Sequence, residues 1–315
     1  MRHARFILFA LPMFAVLRLD AATPAAPAVA VERNVIFGMY SGLALVMDVY
    51  RPAKANGAGI IAIQGSAWYS PMRYDATPIS ARAGVQDYAR ELSAAGYTVF
   101  AINHRAAPRF RFPAPLEDAR RAVRFVRTHA AEYGVDPSRI GAWGSSSGGH
   151  LCELLGTVDA PGVPDSEDAV ERQSAKVRAV VALYAPSDLR TLWSPSGRAA
   201  HIALMGFEYV DPAKRLPGSV RADEAENVEY RRASPVAQVS ADDAPVLMMH
   251  GDADDIIPIE QSTRMEAALK AAGVAARLIR VAGGKHGENF QLAEGDPRLP
   301  DQYGEARRWF DEHLK

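Results

Sequence analysis

Short apolar segments bounded by polar residues, glycine and proline recur along most of the chain, and eight of them have the length and composition of β-strands. The first two follow each other closely and predict an antiparallel entry. The later ones are almost unbroken apolar runs, which is typical of strands buried on both faces of a sheet. The predicted strands lie near residues 31–37, 43–50, 60–63, 98–103, 140–143, 177–184, 246–249 and 277–281.

Segments with apolar residues at helical spacing lie between the later strands, near residues 85–95, 116–133 and 259–272. This alternation predicts an α/β fold, a mostly parallel sheet of about eight strands with helices on both faces. Residues at about 190–232 contain several prolines and glycines among charged residues, and they predict an irregular insertion beside the site. We therefore expect one catalytic domain over residues 31–315.

The composition narrows the class of protein. The 315 residues carry a net charge of −1, which argues against a nucleic-acid partner, and 48% of them are hydrophobic, enough for one large core. Cys152 is the one cysteine, so the chain forms no internal disulfide.

The first 30 residues have the pattern of a signal peptide. Arg2, His3 and Arg5 precede an apolar run over residues 6–17, and small residues follow as far as Ala30. The run is too short for a stable membrane span. We expect cleavage between residues 22 and 30 and export of the mature chain, either to the periplasm or as a secreted protein.

One serine has the flanks of an activated nucleophile. Residues 144–149 read Gly-Ser-Ser-Ser-Gly-Gly, which fits Gly-x-Ser-x-Gly in one register only, with Ser146 at the centre. A predicted strand precedes this motif and a helix-compatible apolar segment follows it. The strand-to-helix turn of a nucleophile elbow is so tight that it needs glycine two residues to either side of the serine.

Partners for this serine are expected downstream, the acid before the histidine and each after a later strand. Asp252, Asp254 and Asp255 follow the seventh predicted strand, and His286 follows the eighth. Asp188 ends another strand and is a further candidate acid, although its position is more typical of a helix N-cap.

Several ordered segments resemble one known family. They are residues 45–52 (Leu-Val-Met-Asp-Val-Tyr-Arg-Pro), 103–108 (Asn-His-Arg-Ala-Ala-Pro), 112–118 (Phe-Pro-Ala-Pro-Leu-Glu-Asp), the elbow, and 250–254 (His-Gly-Asp-Ala-Asp). Together they are similar to the α/β-hydrolase family, specifically to carboxylesterases related to hormone-sensitive lipase and to bacterial feruloyl and acetylxylan esterases. The resemblance covers residues 31–315. It implies the α/β-hydrolase fold, with Asp254 as the acid and His286 as the base.

The resemblance also implies an oxyanion hole. One donor is the backbone N–H of Ser147, and the other comes from the loop after the third strand, where the family usually carries His-Gly-Gly-Gly-Trp. This chain has Gln-Gly-Ser-Ala-Trp at residues 64–68, so Ser66 and Ala67 are expected to supply the second donor. Trp68 and Tyr69 are candidate walls of the substrate pocket, with core packing as the alternative.

The implied reaction is hydrolysis of carboxylic esters with short or aromatic acyl groups, on small molecules or on plant polysaccharide. No cofactor or metal is expected, because the histidines at positions 104, 129, 150, 201 and 250 lack metal-ligand spacing and are interpreted as structural. Two alternatives stay open, a serine peptidase of the prolyl-oligopeptidase type and a non-catalytic binding protein on the same fold.

Overall fold

The computed structural model describes residues 29–191, 194–209 and 223–315. Residues 1–28, which hold most of the predicted signal peptide, lie outside the described residues, and the signal peptide stays a prediction. None of the described helices is both long enough and apolar enough to cross a bilayer.

One eight-stranded sheet forms the frame, with the strand order β1-β2-β4-β3-β5-β6-β7-β8. The first two strands are antiparallel to each other and β2 is antiparallel to β4, whereas all later neighbours are parallel. The carboxyl ends of the parallel strands therefore meet at one edge of the sheet. The strands are β1 (Ala30–Tyr40), β2 (Leu43–Arg51), β3 (Gly59–Ile63), β4 (Thr98–Ile102), β5 (Ile140–Ser145), β6 (Val180–Leu183), β7 (Val246–Gly251) and β8 (Ala276–Val281).

Helices cover both faces of this sheet, and the period-two alternation of each strand divides the core between them. In β3, Ile60 and Ala62 pack on the side of α1 and α7, while Ile61 and Ile63 pack on the side of α2, α3 and α6. Because both faces are buried, the central strands read as continuous apolar runs. The described helices are α1 (Ala83–Ala94), α2 (Ala114–Thr128), α3 (Ser147–Thr157), α4 (Pro195–Met205), α5 (Asp223–Arg232), α6 (Glu260–Ala271) and α7 (Gln302–His313).

The insertion at about 190–232 is not irregular where the structure describes it, since it contains α4 and α5. Pro195 is the first residue of α4, where its missing N–H has no partner to lose, and the Ser194 hydroxyl caps the helix by accepting from the Gly197 amide at 3.2 Å. Gly206 ends the helix in the left-handed conformation with φ 86°. The proline and glycine that predicted irregular chain mark the two ends of a helix.

Candidate active site

Ser146 occupies the sharp turn between β5 and α3. Its φ of 49° and ψ of −124° lie in a region that residues with a side chain rarely adopt, at a conformational cost of about 1–3 kcal/mol. The turn is tight enough to require the flanking glycines. A Cβ at Gly148 would lie 2.0 Å from the carbonyl oxygen of Ile63, and a Cβ at Gly144 would lie 2.5 Å from the backbone of Gly148. The predicted elbow therefore has both the backbone shape and the steric reason expected of it.

A line of hydrogen bonds joins three of the predicted site residues. The Ser146 Oγ lies 3.0 Å from His286 Nε2, and His286 Nδ1 lies 2.8 Å from Asp254 Oδ2. The carboxylate accepts the proton on Nδ1, which leaves Nε2 free to accept the serine proton. The ring of Tyr184 packs edge-on against the imidazole with centroids 4.9 Å apart. These residues follow β5, β6, β7 and β8, whose carboxyl ends bring them together.

Asp254 is buried but amply hydrogen-bonded. Its Oδ1 accepts the amides of Ile256 at 2.9 Å and Ile257 at 2.8 Å, and His250 Nε2 lies 3.3 Å from Oδ2. Burial alone would raise the pKa of Asp254, but the hydrogen bonds from His250, His286 and the Ile257 amide hold that pKa below its usual range. The carboxylate is therefore ionised at neutral pH beside the imidazole. The sequence analysis interpreted His250 as structural, although it stands four residues before the acid.

The other candidate acids make different contacts. Asp252 is exposed and accepts the Gly283 amide at 2.7 Å, and Asp255 is also exposed. Asp188 pairs with the Arg190 guanidinium at 2.8 Å. The expected N-cap role of Asp188 is wrong, because no helix begins there and its carboxylate instead closes a short turn by accepting the Arg190 amide at 3.1 Å.

The oxyanion loop, residues 64–68, lies against the elbow. The Tyr69 amide donates to the Ser66 carbonyl at 3.0 Å, and Ala67 and Trp68 have φ of 54° and 52°, a combination typical of a type I′ turn. Within the described residues, the amides of Ala67 and Ser147 make no hydrogen bond, so both are available to a substrate oxygen. The expectation that the Ser66 amide is also available is wrong, because it donates to the Ser147 hydroxyl at 2.8 Å.

A cavity of about 470 Å³ opens above the nucleophile, and Trp68 forms part of its wall. The indole is only 2% exposed and its Nε1 donates to His150 Nδ1 at 3.2 Å, so Trp68 both lines the cavity and packs in the core. The prediction for Tyr69 is wrong. Tyr69 is 44% exposed, pairs with Ala107 in an isolated bridge, and is not among the residues that line the cavity.

Helix α4 forms another part of the cavity wall. Ser196, Gly197 and Ala200 from this helix line the space together with Ile256 and Ile257 from the acid loop. These wall residues are small or apolar. The sequence did not identify them, because α4 was not predicted as a helix.

The described histidines, cysteine and carboxylates include no group of three arranged to hold a metal ion. His150 donates from Nε2 to the Ala233 carbonyl at 2.7 Å, and His104 Nδ1 lies 2.9 Å from the Arg105 carbonyl. These two side chains are buried and engaged in packing contacts.

The model of the BD-FAE protein family matches residues 47–269, which is more than half of the chain and includes the elbow and the acid. The chain belongs to the BD-FAE family. The match ends before His286, whose place in the site rests on its hydrogen bonds.

Relatives of this BD-FAE member include two proteins of Mycobacterium tuberculosis. The "Probable carboxylic ester hydrolase LipM" is 29% identical over 236 residues, which are 73% of this chain and 50% of that protein. "Esterase LipC" is 29% identical over 272 residues, or 84% of this chain and 61% of that protein. The chain thus spans about half to three-fifths of the length of these curated relatives. They bear out the resemblance to carboxylesterases related to hormone-sensitive lipase.

Solved structures confirm the predicted α/β-hydrolase fold. A "truncated form of carbohydrate esterase from gut microbiota" superposes with a TM-score of 0.69 at 28% identity, covering 90% of this chain and 96% of that one. The "acetyl ester-xyloside bifunctional hydrolase from Caldicellulosiruptor lactoaceticus" gives a TM-score of 0.67 at 26% identity, covering 85% and 88%.

Proposed function

We propose that this protein hydrolyses carboxylic esters through a covalent acyl-enzyme intermediate on Ser146. The observation that carries the proposal is the unbroken line of hydrogen bonds from Ser146 through His286 to the buried Asp254, at the base of a cavity. The esterase names of the relatives and of the structural neighbours support the same reaction class.

In the acylation step, the Ser146 oxygen attacks the ester carbonyl while His286 Nε2 takes its proton. A bond forms between Oγ and the carbonyl carbon, and the carbonyl oxygen becomes an oxyanion. His286 then gives the proton to the leaving alcohol as the carbon–oxygen bond of the ester breaks. Asp254 holds the imidazole in the tautomer that this transfer needs and stabilises its charged form.

Deacylation repeats these steps with water in place of serine. His286 takes a proton from the attacking water. It returns that proton to Ser146 Oγ as the second tetrahedral intermediate collapses, the bond from Oγ to the acyl carbon breaks and the acid is released. In both steps the oxyanion is bound by the Ser147 and Ala67 amides. The Ser147 amide is also the first N–H of α3, where the helix dipole favours negative charge.

We propose that the preferred substrates carry short or aromatic acyl groups. Support comes from the small volume of about 470 Å³ and from Ser196, Gly197 and Ala200 of α4 in the wall, which we infer limit the length of the acyl chain. Ester groups on plant polysaccharide are one proposed substrate, which the carbohydrate esterase among the structural neighbours supports.

The proposed roles of Ser146, His286 and Asp254 are tested by substitutions assayed on one soluble p-nitrophenyl ester. Ser146→Ala should lower kcat by about 10⁶-fold, and adding His286→Ala should make it little worse because the two residues act as a unit. Asp254→Asn should lower kcat by about 10⁴-fold, since an amide does not hold the productive tautomer.

Asp252→Asn and Asp188→Asn are matched controls and should keep near wild-type kcat. A serine-directed phosphonate should label Ser146, as mapped by mass spectrometry. Label on Ser145 or Ser147, or an active Ser146→Ala variant, would contradict the assignment. Faster turnover of a matched amide than of the ester would favour the peptidase alternative.

A further inference from the structure

The nucleophile stands between two serines whose hydroxyls both bind the oxyanion loop. The Gly65 amide donates to Ser145 Oγ at 3.1 Å, and the Ser66 amide donates to Ser147 Oγ at 2.8 Å. Ser145 and Ser147 are 2% and 1% exposed, so water does not compete for these bonds. Two consecutive amides of the loop are thereby attached to the two neighbours of Ser146.

The loop lies directly on the backbone of the elbow. A Cβ at Gly65 would come within 2.8 Å of both the Ser145 carbonyl oxygen and the Ser146 Cβ. The Arg82 guanidinium donates to the Gly65 carbonyl at 3.0 Å from the other side. The contacts at Gly65 therefore fix the distance between the loop and the nucleophile.

The turn that follows has a backbone conformation that its surroundings must support. Ala67 and Trp68 have positive φ without being glycine, and such residues persist only where the surroundings hold them. The Trp68 carbonyl accepts the Ala107 amide at 2.8 Å, which fixes the far end of the turn. The near end is fixed by the contacts at Gly65 and Ser66.

We propose that the hydroxyls of Ser145 and Ser147 are positioning groups of the oxyanion hole. They hold the loop on the elbow so that the Ala67 amide and the Ser147 amide point to one carbonyl oxygen. Ser147 then has two separate functions, its amide stabilising the oxyanion and its hydroxyl fixing the loop that carries the other donor. This inference rests on the proposed function and adds the residues that set its geometry.

Displacing a donor reduces the stabilisation of the transition state more than the binding of the ester, because the negative charge exists only on the oxyanion. Loss of either hydroxyl should therefore lower kcat and leave KM nearly unchanged. A purely structural role would change the stability without this selective effect.

The test measures kcat, KM and Tm for Ser147→Ala and Ser145→Ala on p-nitrophenyl acetate, with inhibition by a short trifluoromethyl ketone that forms an oxyanion on the nucleophile. Each variant should lose roughly 10- to 100-fold in kcat, with KM within about threefold. The inhibition constant of the ketone should rise by a similar factor. Ser93→Ala is the matched control, because Ser93 is 1% exposed and its hydroxyl has no partner within the described part of the chain.

Values of kcat within about threefold of wild type, together with unchanged ketone affinity, would overturn the inference. A loss that appears equally in Ser93→Ala would do the same. If Ser147→Ala melts below the assay temperature, Ser145→Ala decides by the same readouts. A dead Ser146→Ala beside a fully active Ser147→Ala would reject only this inference, whereas an active Ser146→Ala would reject the proposed function.

Discussion

At the scale of single residues, Glu153 on the nucleophile-bearing helix stands out. The side chain is fully buried, and within the described residues neither carboxylate oxygen has a hydrogen-bond partner. Burial raises the pKa of Glu153 well above its ordinary value, so the folded state favours the neutral acid. An unpartnered buried polar group destabilises the fold.

We expect Glu153→Met, which has similar volume, to raise the free energy of unfolding by about 1–3 kcal/mol. A carboxyl whose pKa is raised on folding lowers the free energy of unfolding as the pH rises above its unfolded pKa. The gain in stability of the methionine variant over the wild type should therefore be larger at pH 8 than at pH 5. Urea denaturation at both pH values measures it. Glu153→Gln is the control that removes only the ionisation. An unchanged or lower stability of the methionine variant would mean that the carboxyl is well accommodated.

The sequence analysis selected Ser146, Asp254 and His286 because each follows a strand that is easy to recognise, and the structure brings the three side chains within hydrogen-bonding distance. It failed for the Ser66 amide and for Tyr69. The partner of Ser66 is a hydroxyl 81 residues away, and no local pattern reports it. The direction of Tyr69 depends on a bridge to Ala107, which is likewise invisible in the sequence.

At the scale of elements, α4 contributes Ser196, Gly197 and Ala200 to the wall of the cavity above the nucleophile. Ala200 lines the cavity, whereas Ala199 is exposed on the same helix. The two positions form a natural pair for testing whether this helix controls the acyl group.

We expect Ala200→Phe to lower kcat/KM for butyrate and aromatic esters by at least about tenfold, because its ring occupies the space these acyl groups need. Turnover of the acetate ester should stay within about threefold of wild type. Ala199→Phe should leave the whole series unchanged. A uniform loss across all chain lengths would indicate general damage rather than control of acyl size.

The strands were predictable as elements because the central ones are buried on both faces and read as plain apolar runs. Two helices show the limit of this reasoning. Helix α4 was missed because proline and glycine at its ends were taken as breakers. Helix α2 ends at Thr128, before the predicted end at residue 133, and the chain continues through turns to Gly134 with φ 64°. Local pattern marks where a helix is allowed, and tertiary contacts decide where it stops.

At the scale of the whole molecule, stability depends on a buried histidine that joins three distant segments. His150 of α3 accepts from the Trp68 indole and donates to the Ala233 carbonyl. Burial lowers the pKa of His150 to about 4, although the hydrogen bond to Ala233 works in the opposite direction. Burial also lowers the pKa of the neighbouring His201, to about 3.

The unfolded chain binds protons at these histidines near pH 6.5 while the folded chain does not, so stability should be full above that pH and fall as the pH drops towards 4. The shift at His150 corresponds to about 3 kcal/mol over this window. Unfolding curves from pH 8 to pH 4 measure the effect. His150→Gln should reduce the loss in the free energy of unfolding between pH 6.5 and pH 4, and substitution of His129 by Gln should not. An unaltered loss of stability at acid pH in His150→Gln would show that other groups cause that loss.

The alternation of strands and helices along the sequence predicted the overall architecture, but it did not predict which strands are neighbours in the sheet. Strand β4 lies between β2 and β3 in the sheet, and only the packed structure shows it. That crossing places the oxyanion loop, which follows β3, beside the elbow that follows β5.

Every reacting group projects from a loop at the end of its own strand, while α4 enters the cavity from the separate segment after β6. The groups proposed to react and the helix that lines the cavity therefore belong to separate segments of the chain. Substitutions in the segment around α4 can therefore change which esters fit the cavity without altering the elbow, the acid or the base.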